Sequence, residues 1–123
     1  MTHEEFLNDM YCYYSMNPHM RAANDKGTCF YRQKCDDGTI KKCAIGRHIP
    51  DELYNEGLET RGVDDIPVSQ VAPSLSNLYN SFLRAVQMFH DAGDNWTPER
   101  TNTRVADYHR LLAYAKHLDK QIS

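Results

Sequence analysis

The sequence predicts an α+β domain: a β-hairpin packed against an N-terminal helix and a C-terminal antiparallel αα-hairpin. Three observations lead there. Asp37-Gly38 stands between two alternating segments, and glycine takes the positive backbone angles of hairpin turns without steric cost. Apolar residues recur at helical intervals close to the N-terminus. Two amphipathic stretches joined by a short connection close the chain, which is the pattern of two antiparallel helices.

The first helix is expected from residue 3 to about 15. Thr2 and Glu5 have capping-box spacing, and Phe6, Leu7, Met10, Tyr13 and Tyr14 follow on one side. Asn17-Pro18 suits a cap and first turn, so His19 to Ala23 is expected to add a short helical turn before a loop over Asn24 to Gly27.

The hairpin follows. With a loop around residues 35 to 39, Cys29, Tyr31, Cys43 and Ile45 share one face, because strand side chains alternate. A two-residue turn at Asp37-Gly38 is the alternative register and pairs the faces differently. Gly46 is expected to break the second strand. Pro50, Asp51 and Glu52 then suit the first turn of a helix that Gly57 ends.

Residues 60 to 72 read as irregular, with an edge strand at Pro67 to Val71. A long helix is expected from Ser74, with Leu75, Leu78, Tyr79, Phe82, Val86 and Phe89 as its stripe and Gly93 as its stop. Thr97-Pro98-Glu99 is a cap, first-turn proline and acid in order, so the last helix begins there or resets at Thr103. Val105, Tyr108, Leu111, Leu112, Ala115, Leu118 and Ile122 lie along one side of it. That stripe can serve the core alone or a homo-oligomer contact as well.

At 123 residues the chain is read as a single domain, 1–123. Tyrosine occurs eight times, so much of the core must have polar tips that need partners. The N-terminus lacks a signal-peptide pattern, and no apolar run approaches the roughly 20 residues of a membrane span. The expectation is a soluble, cytoplasmic protein without membrane association, with reduced cysteines.

Net charge is only −3, but its distribution is uneven. Residues 25 to 48 carry Lys26, Arg32, Lys34, Lys41, Lys42 and Arg47 against three acids. Residues 49 to 66 carry six acids against Arg61 alone. A basic hairpin therefore leads into an acidic segment. These are either two solvated faces that attract each other or a bipolar binding surface.

Cys29, Cys35 and Cys43 are separated by spacings that lack the tight pair of a structural zinc knuckle, so buried reduced thiols are expected and no metal or cofactor. Gln87 and His90 share a helix face. His90-Asp91 makes a weak catalytic dyad, since adjacent helical residues do not face each other. No phosphate-cradling glycine loop, HExxH, GxSxG or EF-hand pattern is present, and the chain is read as non-enzymatic. Tyr31 among the basic hairpin residues could contact phosphates and stack one base, which keeps nucleic acid as a partner class, though not the favoured one. Trp96 either caps the core or anchors an interface.

The string Cys29-x-Tyr31-Arg32, then Gly38, then Lys42-Cys43-Ala44-Ile45-Gly46-x-x-Ile49-Pro50-Asp51-Glu52-x-Tyr54, resembles small uncharacterised phage and prophage proteins. A later Leu-Gln-x-x-His-Asp in that group corresponds to Val86-Gln87-x-x-His90-Asp91, with Val for Leu. The resemblance implies the cytoplasm of a bacterial host and an inhibitor of a host or bacterial defence component, anti-CRISPR-like or of another anti-defence kind. Its expected contact residues are Arg32, Lys41, Lys42, Arg47, Glu56 and Trp96. The second reading is a small-ligand or nucleotide-sequestering protein, with Arg32, Arg47, Gln87 and His90 converging on one pocket. The third is a nucleic-acid-associated accessory protein.

Overall fold

A computed structural model describes residues 1–22, 30–61, 65–92 and 96–122. Helix α1, His3–Met16, starts on the expected capping box. Thr2 Oγ1 accepts from the Glu5 amide at 3.0 Å, and the Glu5 carboxylate accepts from the Thr2 amide at 2.8 Å. These bonds hold the Glu5 carboxyl below its usual range. Asn17 ends the helix with its side-chain and backbone donors both on the Tyr13 carbonyl, and Pro18–Met20 adds a 3₁₀ turn. The loop expected at Asn24 to Gly27, and Cys29 with it, lies outside the described residues.

Strands β1, Arg32–Lys34, and β2, Ile40–Lys42, form the antiparallel hairpin. Arg32 pairs with Lys42, Gln33 with Lys41 and Lys34 with Ile40, so the loop is residues 35 to 39 and the longer-loop register holds. Within the loop the Gly38 amide donates to the Cys35 carbonyl and Thr39 to the Asp37 carboxylate. Gly38 takes φ +87°, which a side chain would resist. The second strand ends earlier than expected. Cys43 still donates to the Tyr31 carbonyl, but the chain then turns into a 3₁₀ segment, Gly46–His48. Gly46 rests on β1: a Cβ there would meet the Tyr31 carbonyl oxygen at 2.0 Å.

The acidic segment is two 3₁₀ turns, Asp51–Leu53 and Glu56–Thr60, rather than one helix stopped at Gly57. Tyr54 between them is extended, which carries its hydroxyl to the Glu59 carboxylate at 2.5 Å. Glu59 also accepts the Tyr31 and Arg32 amides at 2.8 and 3.0 Å. One carboxylate thus ties the acidic segment to the start of the hairpin.

The edge strand expected at Pro67 is instead a one-turn helix α2, Val68–Val71. Val68 and Val71, three apart, are both buried, which is a helical rather than a strand interval. The long helix likewise begins later than Ser74. Pro73–Leu75 is a 3₁₀ turn, and α3 runs Asn80–Asp91. Leu75 and Leu78 are buried all the same, because a spacing of three serves a 3₁₀ turn as well as an α-helix. The stop expected at Gly93 lies outside the described residues.

Helix α4, Thr101–Ile122, follows a 3₁₀ turn at Pro98–Arg100. Its larger contact is with α1, not with the helix before it. Tyr108 stacks on Tyr11 with centroids 4.1 Å apart and donates to Asn8, while Asp119 meets His3. The contact with α3 is carried by Tyr114, stacked on Phe82 and bonded to Ser81 at 3.2 Å. Val105, expected on the buried stripe, is 37% exposed. The core lies where α1 (Phe6, Leu7, Met10, Tyr14), the segment after β2 (Ala44, Ile45, Ile49) and α3 (Phe82, Leu83, Val86) converge. No described helix is long and apolar enough to cross a membrane.

Candidate functional site

The hairpin register decides which basic side chains share a surface. Arg32, Lys34, Ile40 and Lys42 fall on one face, and Gln33 and Lys41 on the other. Arg32 and Lys42 are directly opposite, a like-charge pairing that costs stability unless an anion offsets it. Arg32 has its anion: it reaches Asp51 at 2.7 Å, donates to the Ile49 carbonyl at 3.0 Å and lies over the Tyr54 ring. Lys42 has none among the described residues, whereas Lys41 acts on Asp37 in the hairpin loop.

Beside Lys42 the end of α1 and the 3₁₀ segment build a pocket of about 270 Å³, lined by Tyr13, Ile40, Lys42 and Arg47. Arg47 is fixed within it. Its guanidinium lies 3.8 Å above the Tyr13 ring centroid, and Nη1 meets Asp9 at 2.7 Å. The main chain under Lys42 is held as well, because the Tyr14 hydroxyl donates to the Lys42 carbonyl. His48 stands 3.4 Å from Asp9 with its ring edge toward Phe6, and burial pushes its pKa down, so it adds little positive charge. With Asp9 offsetting Arg47, Lys42 supplies the uncompensated charge of the pocket. Ile40, 47% exposed, gives it an apolar rim.

Glu56 is exposed on the second acidic 3₁₀ turn. Trp96 takes the core position, one of its two expected places. It is 8% exposed, packs edge-on against Phe89 and donates its indole N–H to the His90 carbonyl at 2.9 Å. Arg21 donates to the same carbonyl at 3.2 Å, so both satisfy an orphan acceptor in the last turn of α3.

Of Arg32, Arg47, Gln87 and His90, the structure brings together only Gln87 and His90. Arg32 and Arg47 are engaged with Asp51 and Asp9. Gln87 accepts from the Ile45 amide at 3.3 Å and donates to Asp91 at 2.8 Å, and His90 Nδ1 meets the same Asp91 oxygen at 2.9 Å. The adjacent pair His90-Asp91 does therefore interact, contrary to the helical-spacing argument. Asp91 is the last residue of α3, where its side chain can swing back to the ring. His90 is fully buried, its edge against Tyr14, and Nε2 has no partner among the described residues. Burial lowers its pKa despite Asp91.

Nearby Cys43 accepts the Gly46 amide on its sulfur at 3.2 Å, and burial pushes the thiol up to about 12. Burial thus holds Cys43 as a thiol at neutral pH. The cluster fastens α3 to the segment after β2. No group of three or more His, Cys, Asp and Glu side chains among the described residues is placed to hold a metal ion.

Sequence reasoning missed Tyr13 and Ile40 as lining of the pocket and Asp9 as the partner of Arg47. The register alone could have put Ile40 beside Lys42; Tyr13 and Asp9 arrive from α1 and carry no such signal. No family model, curated protein or solved structure matches the chain.

Proposed function

We propose that this is a non-enzymatic binding protein whose contact surface is the basic face of the hairpin, and that its partner is a protein presenting an acidic patch. The observation that carries this reading is the uncompensated Lys42 beside a fixed Arg47 and the exposed Ile40. A charged group with an apolar neighbour on a rigid support is what a protein partner can desolvate with gain. The phage resemblance gives the class of partner: a component of the host or of a bacterial defence system, inhibited by occlusion. Lys42 and Arg47 are the residues of this contact, and Lys41 adds positive charge from the other face of the hairpin. Arg32 lies on the same face as Lys42 and is held by Asp51. The sequestering reading has less support, because its four residues do not converge.

The test is affinity capture from bacterial lysate with the wild-type chain and with the Lys41→Glu/Lys42→Glu variant as baits. The reading expects an acidic protein retained by the first and lost, by tenfold or more, with the second, since like charges across a contact cost on the order of a few kcal/mol. Equal retention by both removes the hairpin as the contact.

A further inference from the structure

The basic pocket has a complement on the same molecule. The 3₁₀ turn Asp51–Leu53 presents Glu52 and Leu53 to solvent, Leu53 at 37% exposure, and Glu56 is exposed on the next turn. Acid beside an apolar side chain on this turn matches Lys42 beside Ile40 at the pocket. The two patches are neighbours: Arg32 faces Lys42 across the hairpin and holds Asp51 at 2.7 Å. They cannot be reduced to one intramolecular contact, because Asp51 is the acid that Arg32 takes, and no ion pair among the described residues involves Glu52, Glu56 or Lys42.

We propose that two copies of this chain associate through this face, with Glu52 and Leu53 of each copy seated against Lys42 and Ile40 of the other. Adjacent patches of opposite sign are self-complementary under a two-fold axis, so a single arrangement makes both contacts and closes. The dimer is electrostatic in character. It forms most readily at low ionic strength and weakens as salt screens the rim charges. It covers the surface proposed above for an acidic partner, yet it needs no outside protein. The two readings therefore fail separately: this one on the purified chain, the other on the lysate.

Sedimentation velocity of the purified chain over a concentration series, at low and at high salt, tests it. The expected result is a monomer–dimer equilibrium that shifts to monomer with salt. Lys42→Glu and Glu52→Lys each weaken the dimer at least tenfold, and an equimolar mixture of the two variants restores it, because each repulsive contact becomes attractive in the heterodimer. Neither side chain has a hydrogen-bond partner among the described residues, and circular dichroism of each variant confirms that the fold is retained. A chain that stays monomeric throughout, a dimer unaffected by either reversal, or a mixture that fails to recover association overturns the proposal.

Discussion

The imidazole of His3 and the carboxylate of Asp119 meet at 2.8 Å across 116 positions of sequence, joining the start of α1 to the end of α4. Asp119 also accepts the His3 and Glu4 amides at 2.9 and 3.1 Å, so it caps α1 from another helix. On its other side, His3 Nε2 accepts the amide of Tyr79, the residue before α3. Nε2 is then the bare nitrogen, and Nδ1 carries the hydrogen given to Asp119. One buried ring holds three helices.

Replacing Asp119 with alanine should therefore cost about 1–3 kcal/mol, the penalty for leaving buried donors unmet. Urea denaturation of the variant against wild type reads it. Burial raises the Asp119 carboxyl, but the His3 and Glu4 amides and the His3 ring outweigh it and hold it below 3.8. A depressed carboxyl contributes stability that is present above its unfolded value and lost as pH falls through the folded one. The wild-type midpoint should drop below about pH 4, and Asp119→Ala should flatten that part of the curve.

A second pH window belongs to the buried histidines. Burial puts His90 and His48 below their ordinary 6.5. The Tyr14 ring packs against His90, Asp91 opposes the shift, and the charges of Arg21 and Arg47 act on it in the same direction as burial. The unfolded chain binds protons that the folded one refuses, so stability is fully present above 6.5 and declines as pH falls below it. His90→Asn should reduce the slope of denaturation midpoint against pH between about 6.5 and 5, even though it lowers stability overall. An unchanged slope would place the titration elsewhere.

Two glycines should respond differently to alanine. Gly46→Ala drives a methyl into the Tyr31 carbonyl oxygen and should cost about 3 kcal/mol or prevent folding. Gly38→Ala meets no atom within 4 Å and should cost only about 1–2 kcal/mol for its positive φ. Thermal melts of both variants give the comparison.

Thiol labelling should separate Cys12, exposed on α1, from Cys43, which is buried and held as a thiol. Iodoacetamide on the native protein followed by peptide mass mapping should modify Cys12 and spare Cys43 until denaturant is added. Equal labelling of the two in native conditions would contradict the packing around Cys43.

Local signals carried the parts of the fold that were legible. Thr2 with Glu5 announces α1, and Asp37-Gly38 announces the hairpin, while alternation favours the longer-loop register over the two-residue turn without excluding the latter. Spacing by threes fits a 3₁₀ turn and an α-helix alike, so it does not separate Leu75 and Leu78 from the helix that starts only at Asn80. Val68 and Val71 stand in too short a segment for their spacing to distinguish one helical turn from a strand. What sequence could not show was side chains acting across the fold. Glu59 on Tyr31, Asp119 on His3 and Asp9 on Arg47 depend on distant elements arriving together. Sequence favours Trp96 as a core cap over a contact residue, but only the fold shows the His90 carbonyl that takes its N–H. In the pocket, Lys42 and Arg47 were visible as charges. That Arg47 is offset by Asp9 and Lys42 is not depended on the end of α1.

The measurement that bears most directly on the account is native mass spectrometry of the protein purified from bacterial cells, with a denatured spectrum beside it. A protein that acts through its surface should show only masses built from protein chains, with no stoichiometric small adduct. Extra mass of metal or small-ligand size, present in the native spectrum and lost on denaturation, would contradict that claim and restore the sequestering reading.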